Sequence, residues 1–297
     1  MTHFGEKHRD LKVSLIVINQ EFMRQIMLGI DHLRFPKNKI QKRKNMKIKL
    51  ILLTFVLASF NYIYADDHVE IAGMEAIQCS FEDGKDMDDA MRVISEWKKY
   101  GDDNFGAPYS AWVLTPIFRS NSDYTNDFIF LGFADSLANL GKAQDDFQRG
   151  ALMIGERWEK VTNCSGQSLN FNVEVRAPKN QWVEGGVHYT SVQSCSLKEG
   201  KSNSDFKPND ITWNKYLDEG GFEGGVWRWW PETGSATDTD FDYLLAASFS
   251  SVEEYGRARD NRLQAMFAGT RPDEIHDCDT PRLYKSINVR LDLPSEE

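Results

Sequence analysis

The sequence predicts an α+β protein built from two tandem βαββαβ units. Three observations carry this reading. The second part of the chain repeats residues of the first in the same order. Each part alternates strand-like and helix-like hydrophobic periods in the same succession. The four cysteines fall at matching places in the two parts.

The repeat sets the frame, because self-similarity at a fixed offset decides the architecture before any element is assigned. At an offset of 116, Cys79 and Ser80 match Cys195 and Ser196, Gly84-Lys85 match Gly200-Lys201, and Trp97 matches Trp213. Lys99-Tyr100 then match Lys215-Tyr216, and Asp102 matches Asp218. At 115, Trp112 pairs with Trp227, Pro116 with Pro231, Asp127 with Asp242, Ser136 with Ser251, Ala143 with Ala258 and Asp145 with Asp260. At 114, Cys164 pairs with Cys278, Leu169 with Leu283, and Val175-Arg176 with Val289-Arg290. A drift of two residues needs only two loop deletions. The units span residues 66–180 and 181–297 and meet near "APKNQWVEGG".

In the first unit "MEAIQCSF" reads as a strand. Met87, Ala90, Met91, Ile94 and Trp97 then follow at helical spacing, one apolar stripe over three turns. "YSAWVLTPIF" and "DFIFLGFA" are strands separated by the polar "RSNSDYTN", a hairpin loop. Leu137, Leu140, Phe147, Ala151, Ile154 and Trp158 mark one amphipathic helix, with Asp135 or Ser136 as its N-cap. "SLNFNVEVR" closes the unit in strict alternation. The second unit repeats this order with "VHYTSVQSCS", a helix around 211–217, "GGVWRWW", "DYLLAASF", a helix over 252–267, and "LYKSINVRL".

Strand–helix–strand–strand–helix–strand is the split βαβ order of ferredoxin-like folds. Both helices of such a unit cover one sheet face, and the other face needs a partner. Two units in one chain supply it for each other. In this element order the chain resembles the dimeric α/β-barrel superfamily in its single-chain duplicated form, over most of residues 69–292. The resemblance implies an internal barrel with a central cavity. It spans monooxygenases without cofactors, haem-related enzymes and stress-responsive proteins without assigned activity, so it does not select a function.

Four cysteines allow three pairings. Repeat symmetry favours Cys79–Cys164 and Cys195–Cys278, since each unit then carries the same bridge. The proposed strand order agrees, because the end of strand 1 lies beside the start of strand 4. No CxxC or HxxxH spacing favours a metal, so structural disulfides are expected and no metal or cofactor.

Residues 1–45 carry ten basic and four acidic residues, and 46–65 two lysines and no acid. Residues 66–297 hold 41 acidic and 23 basic residues, a net of −18. A body so acidic repels a phosphate backbone, which disfavours nucleic acid as a partner. "MKIKLILLTFVLASFNYIYA", 46–65, has the basic start, apolar run and small final residue of a cleaved export signal. The competing reading is an uncleaved anchor through 47–64, with "QKRKN" on the inner side. With the signal removed no stable span is expected, and a periplasmic or extracellular protein results. Residues 1–45 read as a dispensable leader ahead of the natural start at Met46.

Three histidines follow the signal: His68 in a tail, His276 in a surface loop, and His188 at a strand start. His188, with Tyr189, is the one catalytic candidate, as acid, base or ligand. The chain lacks a GxSxG elbow, a P-loop and an HExxH helix. All eight tryptophans lie after the signal. On a strand, Trp227 and Trp229 share one face and Arg228 and Trp230 the other. The two indoles form a stacking wall for a flat ligand, with Arg228 available to an anion or a ring; the competing reading is that they fill space between sheets. The expected function is therefore binding of a small apolar or aromatic molecule without catalysis. The alternatives are a monooxygenase-like enzyme and a structural or partner-binding module; oligomeric state stays open.

Overall fold

The computed structural model describes residues 71–120 and 126–292. The leader, the signal segment and His68 lie outside the described residues. Nine strands are present among them: β1 (Ile71–Phe81), β2 (Ser110–Phe118), β3 (Phe128–Ala134), β4 (Thr162–Arg176), β5 (Val187–Leu197), β6 (Val226–Pro231), β7 (Tyr243–Phe249), β8 (His276–Cys278) and β9 (Arg282–Arg290). Five α-helices accompany them: α1 (Met87–Asn104), α2 (Leu137–Gly150), α3 (Leu152–Trp158), α4 (Phe206–Glu219) and α5 (Val252–Ala268).

The strands close into an eight-stranded barrel. Its order is β1-β3-β2-β9-β5-β7-β6-β4 and back to β1, all pairs antiparallel, while β8 flanks β5. The first half contributes β4-β1-β3-β2 and the second β9-β5-β7-β6, one strand order used twice. The halves meet edge to edge, β2 on β9 and β4 on β6. Closure removes the unpaired edges that two separate sheets would expose.

Alternation along each strand sorts side chains into two cores. Outside the first half, Cys79, Val113, Phe128 and Phe130 pack with Ala90, Ile94, Leu140 and Ile154 of the helices. Inside the barrel, Met74, Leu114, Leu131, Val192, Trp229, Ala246 and Tyr284 form a core drawn from both halves.

The repeated residues do the same work twice. Asp127 and Asp242 accept from Phe81 N and Leu197 N at 2.8 and 2.7 Å, pinning the ends of β1 and β5. Ser136 and Ser251 are the N-caps of α2 and α5. Gly84 and Gly200 take φ of 74° and 77° in the turns after β1 and β5, a region glycine enters without steric cost. The arginine pairs instead cross between halves. Arg176 binds Asp218 at 2.8 Å and Arg290 binds Asp102 at 2.9 Å, so each strand end is tied to the other half's first helix. Both carboxylates are half exposed, so these contacts orient the halves more than they stabilise them.

Both disulfides are present, Cys79–Cys164 and Cys195–Cys278, each between residues directly opposite in register.

One expected element is corrected. The helix expected across 137–158 is broken at Ala151, whose φ of −107° and ψ of 20° leave the helical region. Periodicity continues across the break, since Ala151 and Ile154 are both buried, and so conceals it. The expected strand "LYKSINVRL" is β9; the short β8 precedes it across Asp279-Thr280-Pro281, where proline has no N–H for the ladder.

Candidate functional site

β6 presents Trp227 and Trp229 to the barrel interior, as strand alternation requires. Trp112 of β2, Phe133 of β3 and Trp182 of the 177–186 connection join them. Ring centroids lie 5.3 Å apart for Trp112–Phe133, 5.7 Å for Trp112–Trp182, 6.1 Å for Trp182–Trp227 and 6.3 Å for Phe133–Trp229. These spacings suit edge-to-face and tilted packing. The rings do not fill the interior: a cavity of about 360 Å³ remains among them, with Asn172, Thr190, Ser248 and Ser286, and the carboxylates Asp135, Glu174 and Asp292, in its lining.

The polar inventory of this interior is incomplete. Trp229 Nε1, Asn172 Oδ1, Trp112 Nε1 and Asn288 Oδ1 are buried without a hydrogen-bond partner in the chain. Trp229 faces Asn172 across β6–β4, and Trp112 faces Asn288 across β2–β9. Each pair offers one donor and one acceptor. A buried polar atom left unpaired costs about 1–3 kcal/mol.

Arg228 is not available to this cavity. It points to the outer face, is 4 % exposed, and is held by Asp210 with the Phe206 ring 4.1 Å from its guanidinium carbon. His188 and Tyr189 do not act together, because neighbouring residues of β5 face opposite sides. His188 sits on the inner side, its ring 4.5 Å from Trp182, and partial burial lowers its pKa. Tyr189 follows the outward parity of Ser191 and Gln193, which line a space outside the barrel.

His276 is buried in β8 rather than exposed in a loop. The Tyr243 hydroxyl and His276 Nδ1 share a hydrogen bond of 2.7 Å. Burial, with the nearby charges of Arg228 and Arg262, pushes its pKa down to about 4. A depressed histidine pKa stabilises the fold at neutral pH, and that stability is lost as pH falls from 6.5 toward 4. At about 1.4 kcal/mol per unit the loss is on the order of 3 kcal/mol. Buried Glu75, whose pKa burial raises, acts with opposite sign, its contribution falling as pH rises above 4.5. The comparison with H276N isolates the histidine: denaturation midpoints at pH 7 and 4.5 should diverge more in the wild type. Equal pH slopes would remove His276 from the account.

Two histidines, His188 and His276, lie among the described residues. His276 shares Nδ1 with Tyr243 and lines spaces of about 150 and 440 Å³. His188 packs against Trp182. No group of three or more His, Cys, Asp or Glu able to hold a metal ion occurs among the described residues.

A second constellation lies outside the barrel in the first half. Glu75 of β1 is 4 % exposed and accepts from the Tyr109 hydroxyl, from Gln144 Nε2 at 2.6 Å and from Gln167 Nε2 at 3.0 Å. Burial raises the Glu75 pKa against these hydrogen bonds, and burial with the Glu75 charge raises that of Tyr109. The sequence reading missed these residues. Its available signal was a carboxylate on the β1 face shared with Ile77 and Cys79, where alternation demands an apolar side chain.

No family model and no curated protein matches this chain. Solved structures with similar chain paths include the chlorite dismutase of Candidatus Nitrospira defluvii in complex with imidazole, at 12% identity and TM-score 0.42, over 74% of this chain and 91% of that one. An anthrone oxidase-like protein has 11% identity and TM-score 0.41, over 78% of this chain and 98% of that one. These neighbours belong to the dimeric α/β-barrel superfamily. The fold described above rests on this chain's own strand pairing.

Proposed function

We propose that this chain is an exported binding protein that takes a small, flat aromatic molecule into the barrel cavity. The observation that carries the reading is the tryptophan-walled space with unpaired indole N–H groups at its edge. Indole and phenyl faces recognise a flat ring. The unpaired donors and acceptors favour a ring bearing both a carbonyl and a hydroxyl, which would recover the hydrogen bonds the chain leaves open. The cavity of about 360 Å³ falls in the lower part of the usual small-molecule range. An interior that stays open speaks against a purely structural module. His188, packed on Trp182, gives no support to proton-transfer catalysis. Export is supported by the signal-type segment at 46–65 and by two disulfides with no free cysteine among the described residues. The strand order shared by the halves supports their origin as tandem ferredoxin-like units.

Native mass spectrometry of the purified protein tests the reading. One small-molecule adduct per chain, lost on denaturation, is the expected result. Bare protein that also fails to bind planar hydroxy-carbonyl aromatics would overturn it.

A further inference from the structure

The barrel cavity is not the largest space in the molecule. Between the outer face of the first-half strands and helices α1, α2 and α3 lies a cavity of about 680 Å³. Trp97, Phe105, Phe130, Phe147 and Trp158 wall it, and Glu75 stands in the same lining with Tyr109, Gln144 and Gln167. Exposed Glu82 and Glu159 complete the acidic side, and no Lys, Arg or His lines the space. Three hydrogen bonds hold the Glu75 carboxylate in place but do not cancel its charge. A buried carboxylate without a fixed cation is costly unless something neutralises it.

The second half shows that the fold does not require this arrangement. By the repeat offsets, Ser191, Gly224, Arg259 and Pro281 stand where the first half has Glu75, Tyr109, Gln144 and Gln167. Ser191, Arg259 and Pro281 line a second-half space of about 150 Å³, and Arg259 and Pro281 also line a second one of about 440 Å³. That half lines the smaller space with its own charges: Arg228, Asp210 and Arg262 replace Val113, Ile94 and Phe147. Backbone space changes in step. Gly132 accommodates Tyr109, since a Cβ there would lie 1.7 Å from the phenol oxygen; its counterpart, beside Gly224, is Ala247. One half supplies its own cations, and the other leaves a carboxylate facing an aromatic chamber.

We propose that the first-half cavity binds an organic cation, an amine or quaternary ammonium on an apolar body, with its charged head against Glu75 and its body among the tryptophan and phenylalanine rings. The carboxylate supplies the counter-charge, and the ring faces add cation–π attraction in a partly dry space. An anion of the same shape meets three carboxylates and is repelled. The proposal is independent of the barrel site.

Isothermal titration of the full protein with benzyltrimethylammonium tests it, with benzyl alcohol and phenylacetate as neutral and anionic comparisons. The cation should bind saturably at one per chain, at least about tenfold more tightly than the alcohol, with phenylacetate not binding. E75Q keeps an amide acceptor for Tyr109 and should weaken the cation by at least about tenfold. Gly155 lines the cavity, and a Cβ there meets nothing within 4 Å. G155F adds a ring to the lining at a position with room for it, and should abolish binding even if E75Q proves unable to fold. Equal affinity for alcohol and cation, an unaltered cation affinity in E75Q or G155F, or no saturable binding would each overturn the proposal.

Discussion

Replacing Cys79 and Cys164 together by alanine is expected to lower the stability of the oxidised protein by about 4 kcal/mol, and so is replacing Cys195 and Cys278. The bridges span 85 and 83 residues, and a crosslink over so long a loop removes much of the unfolded chain's freedom. Their locations sharpen the expectation. Each joins the first strand of a half to its antiparallel neighbour; Cys79 and Cys195 are fully buried, Cys79 within the outer core of the first half. The bridges lie in separate halves, so their contributions should be nearly additive. The four-alanine variant would lose about 8 kcal/mol, comparable to the whole stability of an ordinary domain. Guanidinium denaturation of both double variants and the quadruple variant checks this. A loss under about 1 kcal/mol per bridge would mean that the unfolded chain is already compact.

Trp229→Ala should cost about 3 kcal/mol of stability, toward the lower end for a buried tryptophan. The side chain is 6 % exposed and packs at the junction of the halves, near Phe133 of the first. The loss is moderated because one side of the indole already borders open space. Trp229→Phe keeps a ring and deletes the orphaned N–H, so it should be much closer to neutral in stability. The two substitutions separate packing from polarity. If W229A and W229F are equally destabilised in denaturant, the indole is not shared between core and cavity as described.

Much of the architecture was legible in the sequence because duplication and periodicity are properties of residue order. The repeated cysteines anticipated both bridges, and the alternation in "VWRWW" placed Trp227 and Trp229 opposite Arg228. What escaped was whatever depends on contacts between distant segments. Asp210 lies 18 residues from Arg228, and nothing in the strand itself announces that it occupies the guanidinium. His276 reads as a loop residue in the sequence because three strand residues before a proline carry no periodicity; only pairing with β5 buries it. The crossing of Arg176 and Arg290 to the opposite half's aspartates follows from barrel closure, which the repeat suggests but does not detail. Glu75 was hidden for a different reason. Its significance lies in the contrast with Ser191, and a search for similarity between halves passes over their differences.

The central claim is that both halves together enclose one aromatic site in the barrel. Titration with the planar, fluorescent hydroxycoumarin, followed by quenching of tryptophan emission, tests it most directly. The account predicts saturable binding at one per chain, weakened about fivefold in W229F by the missing N–H and lost in W229A. Linear, unsaturable quenching, or the same affinity in all three proteins, would contradict it.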